Sequence, residues 1–468
     1  MQDHALLEVA RGIVVVERLL EREPIRAVPL LRRAHLGDIE AGHRAEELHE
    51  SRGLAGVAIG LPFGADRDPK VRGLVELGEG EGDLLAVGEA KMLRPDVLRL
   101  RLGARQRLAR QYLSTEQRFF GYSIPHDVAP EDWEHVTIRQ AAADHHRIVS
   151  ALREFYEGAW LSTGHSKGGM TSIYHRRFYP DDVDATVAYV APISYDIADP
   201  RYLDFVNGIG EATCRETLRA LQREALERFE VLRPRAEQEA PQWDMIFERT
   251  DGHARAFEIA IAAMEWNFWK RSGLASCDEL PELETVAELD DDALYAVIRE
   301  HAGLGWTYAS PRRMEPYYYQ ATRELGWPRL PTEHLEDRLQ FEDIRDDVFQ
   351  LANGLPAGVE RPAHDPESMA DIQDWFLDDA SEILLVYGEY DSWTGGAFAT
   401  RDGADTPTYY APAANHRALL RDLTAADLDD ALDAIQAWIG ARPDIVTGDH
   451  APRVRAPAHL GRLGPHGF

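Results

Sequence analysis

This chain has almost no lysine and almost no cysteine. Lys70, Lys91, Lys167 and Lys270 are its four lysines, and arginine supplies the rest of its 51 basic residues. That imbalance reads as a bias in coding and carries no functional signal. Cys214 and Cys277 are the two cysteines, too few for a disulfide framework or a cysteine-based metal site. Their pairing is open at this level. An excess of positive charge is also missing. Asp and Glu number 81, which leaves a formal net charge of −30. Nucleic acid is thereby excluded as a partner, because its phosphates demand a basic footprint. The acidic balance suits solubility and cationic substrates. No apolar run reaches the roughly 18 residues of a membrane-spanning helix, so no membrane span is expected. Met1-Gln2-Asp3-His4 lacks the basic start and apolar core of a secretory signal. None of the 18 histidines has metal-ligand spacing with a partner. No metal and no cofactor are expected.

Aromatic residues are absent from one end. Phe63 is the single aromatic among residues 1–111, in a chain with 15 Phe, 10 Trp and 17 Tyr. Charge breaks at the same place. Residues 1–111 hold 18 basic and 18 acidic residues, whereas 112–468 hold 33 and 63. A shift this abrupt marks a domain boundary or a segment of different origin. Residues 1–111 are therefore read as an atypical N-terminal segment, a wrong start or a shifted reading frame. Strands are expected there at 12–16 and 54–61 only. Length alone suggests two or three domains.

From about residue 112 the pattern is that of a folded enzyme. Residues 136–154 carry apolar residues at helical spacing. Residues 187–192 are a continuous apolar run of strand length, as in a buried parallel sheet; 383–387 read as another buried strand, and 160–163 and 408–411 also read as strands. Glu216–Glu239 and Phe257–Lys270 read as helical, with breaks at Arg233-Pro234 and Ser272-Gly273, and Leu423–Ile439 reads as a closing amphipathic helix. Strands alternating with helices argue for a parallel α/β sheet. The expected division is a sheet core over 112–199, a helical cap over 200–380, more sheet core over 381–440 and a loose tail over 441–468.

Gly164-His165-Ser166-Lys167-Gly168 lies between a strand-like and a helix-like run, the setting a nucleophile elbow needs. Glycines at both ends relieve a turn too sharp for side chains. Serine is a poor nucleophile until a base takes its proton and an acid orients that base. The chain offers these in the order Ser, acid, His. Asp391, in Gly388-Glu389-Tyr390-Asp391-Ser392-Trp393, follows the strand at 383–387, with Glu389 the competing carboxylate. His416 follows the strand at 408–411. His145, His146 and His165 read as structural or exposed. The backbone amide of Lys167 is the expected oxyanion donor. A second amide should come from a loop after an early strand, and residues 1–111 offer no recognisable one.

From Leu113 onward four stretches resemble the secreted bacterial tripeptidyl aminopeptidases, serine peptidases that act on prolyl tri- and tetrapeptides. They are residues 113–121 (LSTEQRFFG), 137–149 (TIRQAAADHHRIV), 162–172 (STGHSKGGMTS) continuing into 175–184, and 387–393 (YGEYDSW). The likeness spans about 113–440. It implies an α/β-hydrolase with a mainly parallel sheet and a large helical cap inserted between sheet strands. Ser166 matches the family's nucleophile, Asp391 its acid and His416 its histidine. The implied substrate is a peptide with a free N-terminus, and the implied location is extracellular, at odds with the missing signal. Such an enzyme must bind an α-ammonium, for which a cap carboxylate is the natural device. Glu265, in Met264-Glu265-Trp266-Asn267-Phe268-Trp269, is the candidate, although an ordinary helix-face glutamate reads the same way. Trp266 and Trp269 beside it would suit a proline ring. An ester hydrolase of the same fold, or a binding protein with a defective site, are the competing readings.

Overall fold

An apolar run of five or six residues is too short for a buried helix and sufficient for a strand covered on both faces. The chain uses such runs to build the centre of its sheet. The computed structural model describes the backbone of residues 13–14, 56–62, 72–79 and 85–89. It describes the chain continuously over 111–443, apart from 121–122, 126–127, 154–155, 241–251, 305–313, 346–353 and 357. Nine strands are described: β1 (Ile13–Val14), β2 (Gly56–Pro62), β3 (Arg72–Glu79), β4 (Leu85–Glu89), β5 (Gln111–Thr115), β6 (Trp160–His165), β7 (Ala185–Tyr189), β8 (Ile383–Gly388) and β9 (Thr408–Ala411). They form one sheet in the order β1-β2-β3-β5-β4-β6-β7-β8-β9. From β5 to β9 every neighbouring pair is parallel, and β1, β2 and β3 add the antiparallel side. This is the mainly parallel α/β-hydrolase sheet expected from the sequence. The expected strands at 12–16 and 54–61 are present over Ile13–Val14 and Gly56–Pro62. Strands β3 and β4 come from the same N-terminal segment without having been foreseen.

Side chains of a strand alternate between faces, and the central strands show it. Ala188, Leu385 and Tyr387 join Met170, Ile173, Met369, Ile372 and Phe376 in a buried cluster on one face. Val187, Tyr189, Leu384 and Val386 join Ala431 and Ile435 on the other. The first layer is made by α1 (Ile138–Leu152), α2 (Lys167–Phe178) and the later helix Glu367–Asp378. The opposite layer is the closing helix Ala425–Ile439, capped by the Thr424 hydroxyl accepting from the Asp427 amide. The helix at 367–378 falls inside the stretch expected to be cap, yet its buried positions Met369, Ile372 and Phe376 recur at helical spacing and pack on the sheet.

Between β7 and β8 the chain leaves the sheet and builds the cap from α3 (Arg201–Gly208), α4 (Ala212–Glu227), α5 (Phe229–Glu239), α6 (His253–Ala262), α7 (Met264–Arg271), α8 (Asp291–His301) and α9 (Glu315–Gln320). Their apolar faces share one buried cluster that also takes in Trp393, from the loop after β8. Two expectations are corrected here. The helical stretch 216–239 breaks at Arg228, not at Arg233-Pro234; Arg228 leaves the helical region with ψ 22°. Its guanidinium is held by the carbonyls of Ala287 and Leu289, while Pro234 sits inside α5. The strand expected over 187–192 ends at Tyr189, because Val190 turns to a positive φ of 42°. Cys214 and Cys277 form a disulfide with a Cα–Cα separation of 5.6 Å, tying α4 to the short turn at Leu274–Glu279 that follows α7. The tail beyond residue 443 lies outside the described residues.

Candidate active site

The elbow is a strand that stops, one residue that reverses direction, and a helix that starts. β6 ends at His165, Ser166 stands alone at φ 55° and ψ −120°, and α2 begins at Lys167. That backbone is costly for any residue with a Cβ, on the order of 1–3 kcal/mol, and persists only where surrounding structure enforces it. Here the Ser166 amide donates to the Tyr189 carbonyl at 2.8 Å, and its own carbonyl accepts from Met170 at 3.0 Å as the first bond of α2. Gly164 is required: a Cβ there would lie 2.1 Å from the backbone carbon of Gly168.

Asp391 and His416 reach the same point from the ends of β8 and β9. Asp391 is fully buried, and its Oδ1 accepts from the Trp393 backbone amide at 3.0 Å. Its Oδ2 lies 2.7 Å from His416 Nδ1. On the other side of the ring, His416 Nε2 lies 2.8 Å from Ser166 Oγ. Three residues separated by up to 250 positions thus form one hydrogen-bonded chain. Glu389, the competing carboxylate, instead accepts from the Ala413 amide at 3.1 Å. His165 lies edge-on to His416 at 5.5 Å, and burial pushes its pKa down to about 3.

Burial also holds the His416 pKa below its ordinary 6.5; Asp391 pulls it back up, and Lys270 and Arg271 push it down. Lys270 itself is pushed down to about 7, mainly by burial. A general base works only when neutral. The expected outcome is a kcat/KM that falls on the acid side as protons bind His416, with the inflection of that limb below 6.5. An acidic limb with its inflection above 6.5 would contradict the assignment.

Lys167 opens α2, where the first four amides have no partner within the helix and the helix dipole favours negative charge. Its side chain turns away, with Nζ donating to Gln117 Oε1 at 2.9 Å and Thr171 Oγ1 at 3.1 Å. The second expected oxyanion donor should follow an early strand. Residues 90–110, which follow β4, lie outside the described residues.

The structure treats the other expected residues unequally. Glu265 is on α7 and 0% exposed, and Arg219 takes both its oxygens, at 2.9 and 3.0 Å. Burial raises its pKa against the pull of Arg219. Its charge is therefore already matched inside the cap, which corrects its reading as a carboxylate waiting for an ammonium group. Trp266 is buried in the cap cluster, with its ring 5.3 Å from that of Trp393, which lies 6.1 Å from His416. Trp327 and Tyr202 complete that aromatic group, at 5.6 and 5.9 Å from Trp393. Trp269 is fully buried and packs instead against Gly210, Phe268 and Tyr390. Trp393 was visible in the motif around Asp391 without its role being evident. Arg219 carried no sequence signal. Among the described residues, no group of three or more His, Cys, Asp or Glu is arranged to hold a metal.

Residues 101–460 match the family of PS-10 peptidases S37. The prolyl tri/tetrapeptidyl aminopeptidase of Streptomyces mobaraensis is 35% identical over 359 residues, which cover 75% of this chain and 73% of that protein. Among solved structures, the proline iminopeptidase of Mycobacterium smegmatis aligns with a TM-score of 0.38 at 14% identity, covering 81% of this chain and 96% of that one. Epoxide hydrolase A of Mycobacterium thermoresistibile aligns with a TM-score of 0.33 at 14% identity, covering 83% of this chain and all of that one. The sheet, the cap and the match over most of the chain lead to one conclusion: the chain belongs to the PS-10 peptidase S37 family and is a serine peptidase of the α/β-hydrolase fold.

Proposed function

We propose that this peptidase is a serine-type aminopeptidase that releases short peptides, of three or four residues, from free N-termini, cutting after proline. The observation that carries the reading is the chain Ser166 Oγ, His416 Nε2, His416 Nδ1, Asp391 Oδ2, closed at 2.8 and 2.7 Å. His416 takes the Ser166 proton as Oγ attacks the scissile carbonyl, then gives it to the departing amine. Asp391 steadies the imidazolium formed in between. The Lys167 amide stabilises the oxyanion of the tetrahedral intermediate. Water, activated by the same histidine, then releases the peptide from its ester with Ser166. The aromatic group of Trp266, Trp393, Trp327 and Tyr202 suits a proline ring. The length and residue preference rest on the name of the Streptomyces mobaraensis relative.

The test is hydrolysis of an Ala-Ala-Pro anilide with a free or an acetylated N-terminus. Cleavage of the free peptide with acetylation lowering kcat/KM at least about 100-fold is expected, the scale of a lost charge-assisted contact. Equal cleavage of both would overturn the aminopeptidase reading in favour of an endopeptidase or ester hydrolase.

A further inference from the structure

The loop that carries His416 is held from two sides. On the core side, Gly388 leaves it room: a Cβ there would lie 2.4 Å from the Asn415 carbonyl oxygen and 2.6 Å from that of Ala414. The Tyr390 amide donates to the Ala414 carbonyl at 2.8 Å, and the Glu389 amide to that of Ala411 at 3.1 Å. On the other side the loop touches the cap. The His416 amide donates to the Lys270 carbonyl at 3.1 Å, and Asn415 Nδ2 donates to the Arg271 carbonyl at 2.5 Å. Lys270 and Arg271 are the last two residues of α7, where helix carbonyls lack donors of their own. The chain turns away at once through Gly273, at φ 76°, where a Cβ would come within 3.3 Å of the Asn415 Cβ.

Helix α7 is in turn fixed within the cap. Glu265 in its first turn is paired with Arg219 of α4. Asn267 Nδ2 donates to the Ala302 carbonyl at 3.0 Å. Cys277, a few residues beyond the helix, is bonded to Cys214 of α4. The C-terminal end of a helix is also the negative end of its dipole, which favours a cationic imidazolium beside it.

We propose that the end of α7 is part of the positioning of the catalytic base: Asn415 is a positioning residue that couples the cap to His416. The inference rests on the reading of His416 as that base. In it the cap does more than cover the sheet. Its placement sets the ring that must face Ser166.

Asn415 allows a clean test, because its two side-chain atoms do different things. Oδ1 accepts from the Arg417 amide at 3.1 Å and shapes the loop itself, while Nδ2 reaches the cap. Asn415→Asp keeps the first bond and removes the second. The expected result is a kcat lower by between about 10- and 100-fold, the scale of a misplaced catalytic group, with KM unchanged and the melting temperature close to wild type. Gly273→Ala, which crowds the same contact from the cap side, should show the same split. Wild-type kcat in Asn415→Asp, a change in KM alone, or loss of folding in both variants would overturn the proposal. An active Ser166→Ala variant would instead remove the reading beneath it.

Discussion

Replacing Ser166 by alanine is expected to abolish peptide hydrolysis while leaving the fold intact. The magnitude follows from the way triad members act as a unit. Removal of the nucleophile or the histidine in such enzymes costs on the order of 10⁶ in kcat, and a residual rate comes from the oxyanion site and substrate binding alone. Ser166 Oγ bonds to His416 Nε2, so alanine leaves that nitrogen facing the empty position with little structural penalty. The backbone stays as strained as before, because alanine carries the same Cβ through φ 55°. His416→Ala should cost a similar factor, and the double variant should be no slower than either single one. The direct check is covalent labelling by a fluorophosphonate, read by mass spectrometry, beside the anilide assay. Labelling of Ser166 in the wild type and none in Ser166→Ala is expected. Turnover that survives the substitution would place the chemistry elsewhere on the molecule.

The second large effect is on stability. Gly164→Ala should prevent folding or destabilise the protein by more than about 4 kcal/mol, the range reserved for overpacking against atoms that cannot move. The atoms it would strike are backbone: Gly168 carbon at 2.1 Å, Gly168 oxygen at 2.2 Å and Gly169 nitrogen at 2.6 Å. They belong to the first turn of α2, whose Met170, Ile173 and Tyr174 are buried against the sheet face. To make room, the helix would have to leave that packing. Gly208, at the end of α3, is the control. A Cβ there meets nothing within 4 Å, so Gly208→Ala should change stability by less than about 1 kcal/mol, with either sign small. Soluble yield and thermal unfolding of the two variants make the comparison. Similar melting temperatures would mean that the elbow tolerates a side chain, against the geometry described.

Some of this site was legible because its signals are local. Gly164, Ser166 and Gly168 sit within five residues, and at Gly164 the turn leaves no room for a side chain. Asp391 and His416 could be found because each follows a short apolar run, and a residue just past the end of a parallel strand falls on the sheet edge where ligands bind. The closing helix was equally plain from its amphipathic pattern; the structure adds the cap by Thr424. Other features had no local trace. Glu265 looked like an acid on a helix face. Only the fold brings Arg219 to it, 46 residues away in sequence. Pro234 looked like a break, yet α5 absorbs it and the chain turns at Arg228, whose side chain is drawn to carbonyls some 60 residues on. The helix at 367–378 read as cap because it follows cap helices in sequence; what assigns it to the sheet is the cluster its apolar face enters.

The sequence by itself determined the central strands β6 to β9, the turn at Ser166, and the order of the candidate nucleophile, acid and histidine, while β3 and β4 left no recognised trace in it. Those outcomes depend on steric limits and apolar periodicity over a few residues, and such limits act whatever the rest of the chain does. Tertiary structure decided the partnerships. It closed the 63-residue interval between Cys214 and Cys277, paired Glu265 with Arg219, and set the carbonyls of Lys270 and Arg271 against the loop of His416. Each of these joins groups far apart in the chain, and their meeting depends on how the cap helices pack over the sheet. That packing is a property of the summed apolar faces of many elements, which no single segment displays.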